Sequence, residues 1–288
     1  MEHKECLICK SKNLKKLTAY LKGNMFKCQN CNFTFASKIP TEKELVEHYE
    51  GYGRNDYLSP ITVKRYNEIL DSFEKYRKNN NLIDVGCGIG LFAKVAIERG
   101  WNVYGTEFTK EAIEICKSKG IKMHEGKLNP NNYDSNSFDV ITSFEVIEHI
   151  NNPIEEISNF NKILRKGGLV YITTPNFNSI SRNLLEENWT VIAYPEHLCY
   201  YTPKTLNNLM QKIKFKKQNV ETTGFSLTRH KIATKKTEQK YIAADTEDEK
   251  LRNKMEYIWY WKIIKKGVNY IFTLLNKGDK IKAYYVKE

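Results

Sequence analysis

Residues Leu82–Gly90 read LIDVGCGIG. Leu82–Val85 has the apolar density of a buried strand, and it runs directly into Gly86, Gly88 and Gly90. A helical pattern, LFAKVAIER over Leu91–Arg99, follows, and Gly100 closes it. The order is strand, glycine-rich turn, helix. Glycine lets a ligand approach the backbone, and a helix N-terminus offers N–H groups that lack intrahelical partners. A lone GxGxG carries little weight, so its surroundings decide. GCGIG lacks the G-x-G-x-x-G spacing of a dinucleotide fingerprint, which argues against a nicotinamide dehydrogenase.

Working outward, a second strand spans Asn102–Gly105 and leads to Thr106 and Glu107. Glu107 lies 17 positions after Gly90, near the spacing of an acid that grips ribose hydroxyls. A helix over Lys110–Lys119, a strand over Ile121–His124 and the strand Phe138–Thr142 (FDVIT) continue the pattern. The helix Ile154–Leu164, a turn at Lys166–Gly168 and the strand Leu169–Thr173 follow. Strands alternating with helices give an α/β, doubly wound, mostly parallel sheet.

In order, LIDVGCGIG, GTEFT, SFDVITSFEVIEHI and LRKGGLVYITTPN resemble a class I S-adenosylmethionine-dependent methyltransferase. The resemblance covers roughly Asn80–Thr228 and implies a seven-stranded sheet. It implies that Asp84, Gly86, Gly88 and Gly90 form the loop under the methionine part of the cofactor. Glu107 would accept from both ribose hydroxyls, and Phe108 would pack near the adenine. Many relatives carry an acid near the adenine amino group, where this chain has Lys127 in GKLNP; Leu128 and backbone groups are expected to serve instead. Phe144 and, from a covering segment His48–Tyr57, Tyr57 complete the expected cofactor contacts.

SFEVIEHI, Ser143–Ile150, carries the chemistry. If it turns helical, Glu145, Glu148 and His149 share one face, at the strand end where open α/β sheets bind ligands. His149, with Glu148 and His197 beside it, is a candidate base for an acceptor hydroxyl. E-x-x-E-H also resembles the divalent-metal motif of small-RNA 2′-O-methyltransferases and of some ubiquinone-pathway O-methyltransferases. Glu145, Glu148, His149 and His197 would then hold Mg²⁺, Mn²⁺ or Zn²⁺. The third reading is structural: Glu148 caps a helix and His149 is a satisfied imidazole.

Cys6-x-x-Cys9 and Cys28-x-x-Cys31 have zinc-ribbon spacing, in which two knuckles close a tetrahedron around a structural ion. Cys87, Cys116 and Cys199 are isolated and read as packing residues. The zinc-ribbon front end and the ending GDKIKAYYVKE resemble a bacterial subgroup whose members sit among genes for sugar and surface-polysaccharide synthesis. The domain reading is therefore a zinc ribbon at 1–40, a linker with cofactor-covering helices at 41–79, and a cofactor-binding domain at 80–288. Within that domain, 176–215 is an acceptor insertion and 245–278 a helical insertion.

At 288 residues and 41% hydrophobic composition, the chain supports one large core with a small appendage. No apolar run approaches the ~20 residues that span a bilayer, and MEHKECLICK lacks a signal-type apolar stretch. The expectation is a cytoplasmic protein. The formal net charge of +12 admits nucleic acid, a membrane surface or phosphorylated substrates; equally, it reflects a chain rich in Lys, Asn and Ile. YIWYWKIIKKGVNYIFTLL, Tyr257–Leu275, is expected to pack on the core and return to a last strand at Lys280–Val286. Its alternative is to lie on the inner face of a membrane. The leading expectation is O-methylation of a sugar, nucleotide-sugar or glycan. Small-RNA 2′-O-methylation is the second enzymatic reading. The third is a binding protein without catalysis, whose ribbon recruits a partner.

Overall fold

The computed structural model describes residues 2–41, 44, 58–226 and 258–288. Tyr57 and the rest of His48–Tyr57 lie outside them, as does the first part of the 245–278 insertion. Asn81–Val85 (β4) is buried on both faces, the mark of a central strand in a parallel sheet. Asn102–Glu107 (β5) and Phe138–Phe144 (β7) pair with it in parallel, and Lys122–Glu125 (β6) pairs with β5. Leu164–Pro175 (β8) lies parallel to β7. Lys280–Lys287 (β11) runs antiparallel to β8 on one side and to Phe215–Thr223 (β10) on the other. The seven-stranded order is β10-β11-β8-β7-β4-β5-β6. The direction of winding reverses between β4 and β7, so a crevice opens at their carboxyl ends.

Helices cover both faces. Pro60–Phe73 (α1) and Leu91–Glu98 (α2) bury Leu70, Phe73, Phe92 and Ala96 against Leu82, Val140 and Tyr171. Pro153–Ile163 (α4) and Pro203–Lys212 (α6) bury Ile157, Phe160, Leu206 and Leu209 against Ile83, Ile141 and Ile172 on the opposite face. Lys110–Ser118 (α3) follows β5. Thr202 caps α6 by a capping box with Thr205, ahead of Pro203. Far from the crevice, the buried Asp139 holds the chain entering β4. Its Oδ2 accepts from the backbone N–H groups of Lys78, Asn79 and Asn80, each at 2.7 Å. Its Oδ1 meets Arg165 Nε at 2.5 Å.

One expectation is corrected here. The chain does not turn at Lys166–Gly168 before entering a strand: β8 begins at Leu164, and a register shift against β7 between Phe138 and Val140 absorbs the positive φ of Gly167. β10, for which no strand was expected from the sequence, lies at the edge of the sheet, where its lysines discourage pairing with another chain.

Leu14–Lys16 (β1), Met25–Cys28 (β2) and Thr34–Ala36 (β3) form an antiparallel sheet, completed by Cys199–Tyr200 (β9). β9 belongs to the 176–215 stretch, so the cysteine-bearing sheet is stitched to the insertion rather than hung from a linker. Ile180–Leu185 (α5) lies in the same insertion. Trp259–Leu275 (α7) lies along β10 but buries no residue, contrary to the expected core packing. Asn269 accepts from the Gly224 N–H, and Thr273 and the Phe272 carbonyl bond to Thr222. These inward-facing positions are largely polar; Trp259, Ile263, Tyr270, Ile271 and Leu274 are exposed.

Candidate functional site

Gly86, Gly88 and Gly90 have φ of 68°, 55° and 73°, values that suit glycine. A β-carbon at Gly86 would stand 2.6 Å from Val146 Cγ2, and one at Gly90 would stand 2.4 Å from Ile121 Cδ1. Packing demands those two. A β-carbon at Gly88 meets nothing within 4 Å, so there the bare backbone faces open space. The loop is tied to the end of β5: Gly86 N–H donates to Thr106 Oγ1 at 3.2 Å, and Gly88 N–H donates to Glu107 Oε2 at 3.1 Å. Glu107 Oε1 accepts from the N–H groups of Phe108 and Thr109 at 2.8 and 3.2 Å. Asp84 lies buried and accepts from the Thr142 hydroxyl at 2.6 Å. Burial pushes its carboxyl up to about 7, against the pull of that hydrogen bond.

Beside the loop is a cleft of about 270 Å³ of empty space. Gly86, Glu107 and Phe108 form one side, and Gly126, Lys127 and Leu128 form another. Val146, Ile150 and Glu156 close it. Of the expected cofactor residues, this cleft gathers Gly86, Glu107, Phe108 and Leu128. Phe108 is 60% exposed, a flat apolar ring at the rim. Asp84, Gly88 and Gly90 are not in the lining. Phe144 packs instead among Tyr66, Phe92 and Tyr171, with ring centroids 6.3, 4.8 and 5.4 Å away. The residues present suit S-adenosylmethionine: an acid at the strand end for ribose hydroxyls, exposed loop backbone, and an apolar slot for a base. Val146, Ile150 and Glu156 were not expected. Glu156 had a sequence signal, an acid on the same helical face as Ile157 and Phe160.

At the end of β7 the helical expectation is corrected. Glu145 N–H still bonds to the Thr173 carbonyl at 2.9 Å, extending the strand ladder, and Glu145 then turns with φ of 55°. Only Ile147–His149 forms a short 3-10 turn. Glu145 therefore does not align with the other two, and its Oε2 meets Lys280 Nζ at 3.5 Å. Glu148, His149 and His197 do converge: one ligand atom from each lies within 4.8 Å of the others. Glu148 is buried and accepts from the Thr174 hydroxyl at 2.9 Å. Burial and then Glu145 push its carboxyl well above the usual carboxylate range.

Both imidazoles are oriented by carbonyls, which only accept, so each Nδ1 carries the proton and each Nε2 is the basic nitrogen. His149 Nδ1–H donates to Glu196 O at 2.8 Å, and His197 Nδ1–H donates to Val191 O at 2.6 Å. Burial and then His197 hold His149 down to about 4, so it is neutral at physiological pH. Carbonyl-oriented imidazoles beside a carboxylate are a donor set that suits a divalent transition ion. Leu198 joins this site to the small sheet. Its N–H donates to the Glu148 carbonyl at 2.7 Å, and its carbonyl accepts from Ala36 N–H at 2.8 Å.

The four thiols of Cys6, Cys9, Cys28 and Cys31 also converge, with Cys6–Cys31 and Cys9–Cys28 sulfurs 3.5 Å apart. Tetrahedral zinc with bonds of ~2.3 Å separates its sulfurs by only slightly more, so the four fit that ion. Burial pushes the Cys6 thiol up to about 11 and Cys31 higher still. Against its own burial, the backbone N–H groups of Cys31 and Asn30 bring Cys28 down to about 7.

The family described as "Methyltransferase domain" matches residues 61–221, more than half of the chain. A ubiquinone biosynthesis O-methyltransferase of Pelagibacter ubique is 34% identical over 125 residues, 42% of this chain and 51% of that protein. The Haemophilus ducreyi protein of the same name is 27% identical over 144 residues, 46% of this chain and 58% of its own. The chain thus spans about half the length of the curated relatives it matches. The crystal structure of a SAM-dependent methyltransferase from Archaeoglobus fulgidus superposes with a TM-score of 0.55 at 16% identity. That likeness covers 86% of this chain and all of the other, and it shows the shared fold.

Proposed function

We propose that this chain, which belongs to the methyltransferase-domain family, moves the methyl group of S-adenosylmethionine to a hydroxyl oxygen of an acceptor with two neighbouring hydroxyls. The observation that carries this reading is the convergence of Glu148, His149 and His197 at the carboxyl end of β7. Glu148, His149 and His197 would hold a divalent cation, Mn²⁺ or Mg²⁺. Such an ion supplies Lewis acidity that lowers the pKa of a bound hydroxyl. The chain's own part is placement. Thr174 fixes the Glu148 carboxyl, and the Glu196 and Val191 carbonyls each hold one imidazole ring through its Nδ1–H. The acceptor hydroxyl gives its proton to solvent water, its oxygen forms the new bond to the methyl carbon as the carbon–sulfur bond breaks, and the sulfonium becomes a thioether. Most of the acceleration comes from holding oxygen and methyl in line.

The relatives' names support oxygen as the methylated atom. Those names specify ubiquinone biosynthesis, so the acceptor is read as a ubiquinone precursor, for which an aromatic diol is the simplest probe; the sugar or glycan acceptor expected from the sequence gains no support from them. The test is methyl transfer from labelled S-adenosylmethionine to catechol, phenol and a sugar with adjacent hydroxyls, with Mn²⁺ or with EDTA. The expected result is label on a catechol oxygen that requires metal. Equal labelling of phenol in EDTA would contradict the reading.

The four cysteines are read as a closed structural zinc site, which leaves no position for substrate. α7 is read as a membrane-surface helix. It carries three lysines (Lys262, Lys265, Lys266) and no acid across Trp259–Leu275, which complements an anionic bilayer. None of the described helices is long and apolar enough to cross one.

A further inference from the structure

Glu156 sits in α4 with 6% of its surface exposed, yet it lines the cleft beside the glycine loop. A buried carboxyl is stable only when something answers it. Among the described residues, none donates a hydrogen bond to this one. Lys127 on the facing loop acts on it only at a distance, and no ion pair within 4.0 Å joins them. Burial pushes the carboxyl up to about 7, with Lys127 pulling it back. The helix is fixed against that loop, because Asn159 Nδ2 donates to the Leu128 carbonyl at 3.4 Å. The cleft that Glu156 lines also has apolar lining from Leu128, Val146 and Ile150. The cleft therefore joins apolar surface to a buried carboxyl that has no hydrogen-bond donor among the described residues.

That combination suits a planar base carrying an amino group. Adenine presents an exocyclic N–H₂ donor on its edge. Glu107 and Phe108, which would meet the cofactor's ribose and base, line the same cleft as Glu156. We propose that Glu156 reads the adenine of S-adenosylmethionine, its carboxyl accepting a hydrogen bond from the 6-amino group. This rests on the cofactor assignment above. It gives α4 the recognition task that the loop at Lys127 lacks an acid to perform.

The test compares binding of S-adenosylhomocysteine with that of S-inosylhomocysteine, whose 6-amino group is replaced by an oxo group. Calorimetry on the full chain reads both affinities for the wild type, Glu156→Gln and Glu156→Leu. The wild type is expected to prefer the adenine ligand by roughly tenfold or more, the worth of a hydrogen bond to a charged or buried group. Glu156→Gln, whose amide can also donate to an oxo group, should bring the ratio to about threefold or less. Glu156→Leu should weaken the adenine ligand while leaving the inosine ligand nearly unchanged. A wild-type ratio retained in both variants overturns the role of Glu156 alone. Failure of the wild type to bind either ligand overturns the cofactor assignment and this inference with it.

Discussion

Single side chains carry the chemistry, and their environments set testable signs. Burial and then Glu145 push the Glu148 carboxyl well above the usual carboxylate range, so a cation entering beside it competes with a proton for that carboxyl. Mn²⁺ affinity should rise with pH, by about tenfold per unit below the Glu148 pKa. Calorimetric titrations at pH 6 and pH 8 in buffers of different ionisation heat measure both the affinity and the proton released; equal affinity at the two pH values would contradict the assignment. Glu107 offers its carboxylate at the strand end beside Gly88. Glu107→Ala should weaken S-adenosylhomocysteine by roughly tenfold to a hundredfold, as loss of a charge-assisted pair of hydrogen bonds does. Unchanged binding would contradict its ribose role. Much at this scale was legible in LIDVGCGIG and EVIEH, because spacing specifies a strand end and a glycine turn. What spacing could not show was the left-handed Glu145, which takes that acid out of line, or the depth of Glu156. Both depend on contacts with distant parts of the chain.

Elements decide how these residues are held. β3 pairs with β9, and Leu198 bridges Ala36 to Glu148, so the cysteine sheet braces the segment that carries His197. Removal of zinc, by chelation or by Cys28→Ser, should loosen this brace. The expected result is at least a tenfold loss of Mn²⁺ affinity at the β7 site, with S-adenosylhomocysteine binding changed by no more than about twofold, since the glycine loop is anchored to β5. Equal loss of both would mean that the sheet supports the whole fold. The CxxC pairs announced a metal knuckle in the sequence, but the β3–β9 pairing did not show, because two residues of strand leave no periodic pattern. β10 was hidden for the converse reason: an edge strand rich in lysine resembles a charged surface run.

For the whole molecule, the sheet places the cleft and the proposed acceptor site at one edge and its structural ties at the other. Asp139 belongs to the second group. Asp139→Asn leaves the half-buried Arg165 beside a neutral amide and should cost about 3 kcal/mol in urea unfolding, with S-adenosylhomocysteine affinity in the folded protein unchanged. α7 marks a third surface. Ile263→Asp with Ile271→Asp should abolish flotation with phosphatidylglycerol vesicles while leaving phosphatidylcholine binding low for both proteins; flotation kept by the variant would contradict the membrane reading. The strand–helix alternation made the sheet legible from the sequence, whereas the outward face of α7 was not, since periodicity marks an apolar stripe without saying what it faces.

The most direct test of the central claim is a metal count. Elemental analysis of the purified chain, followed by Mn²⁺ titration with S-adenosylhomocysteine bound, would be run on the wild type, Glu148→Ala and His149→Ala. The account predicts one tightly held zinc in all three proteins and a second metal that binds the wild type and is lost in both variants. One zinc, and no Mn²⁺ uptake by the wild type, would contradict it.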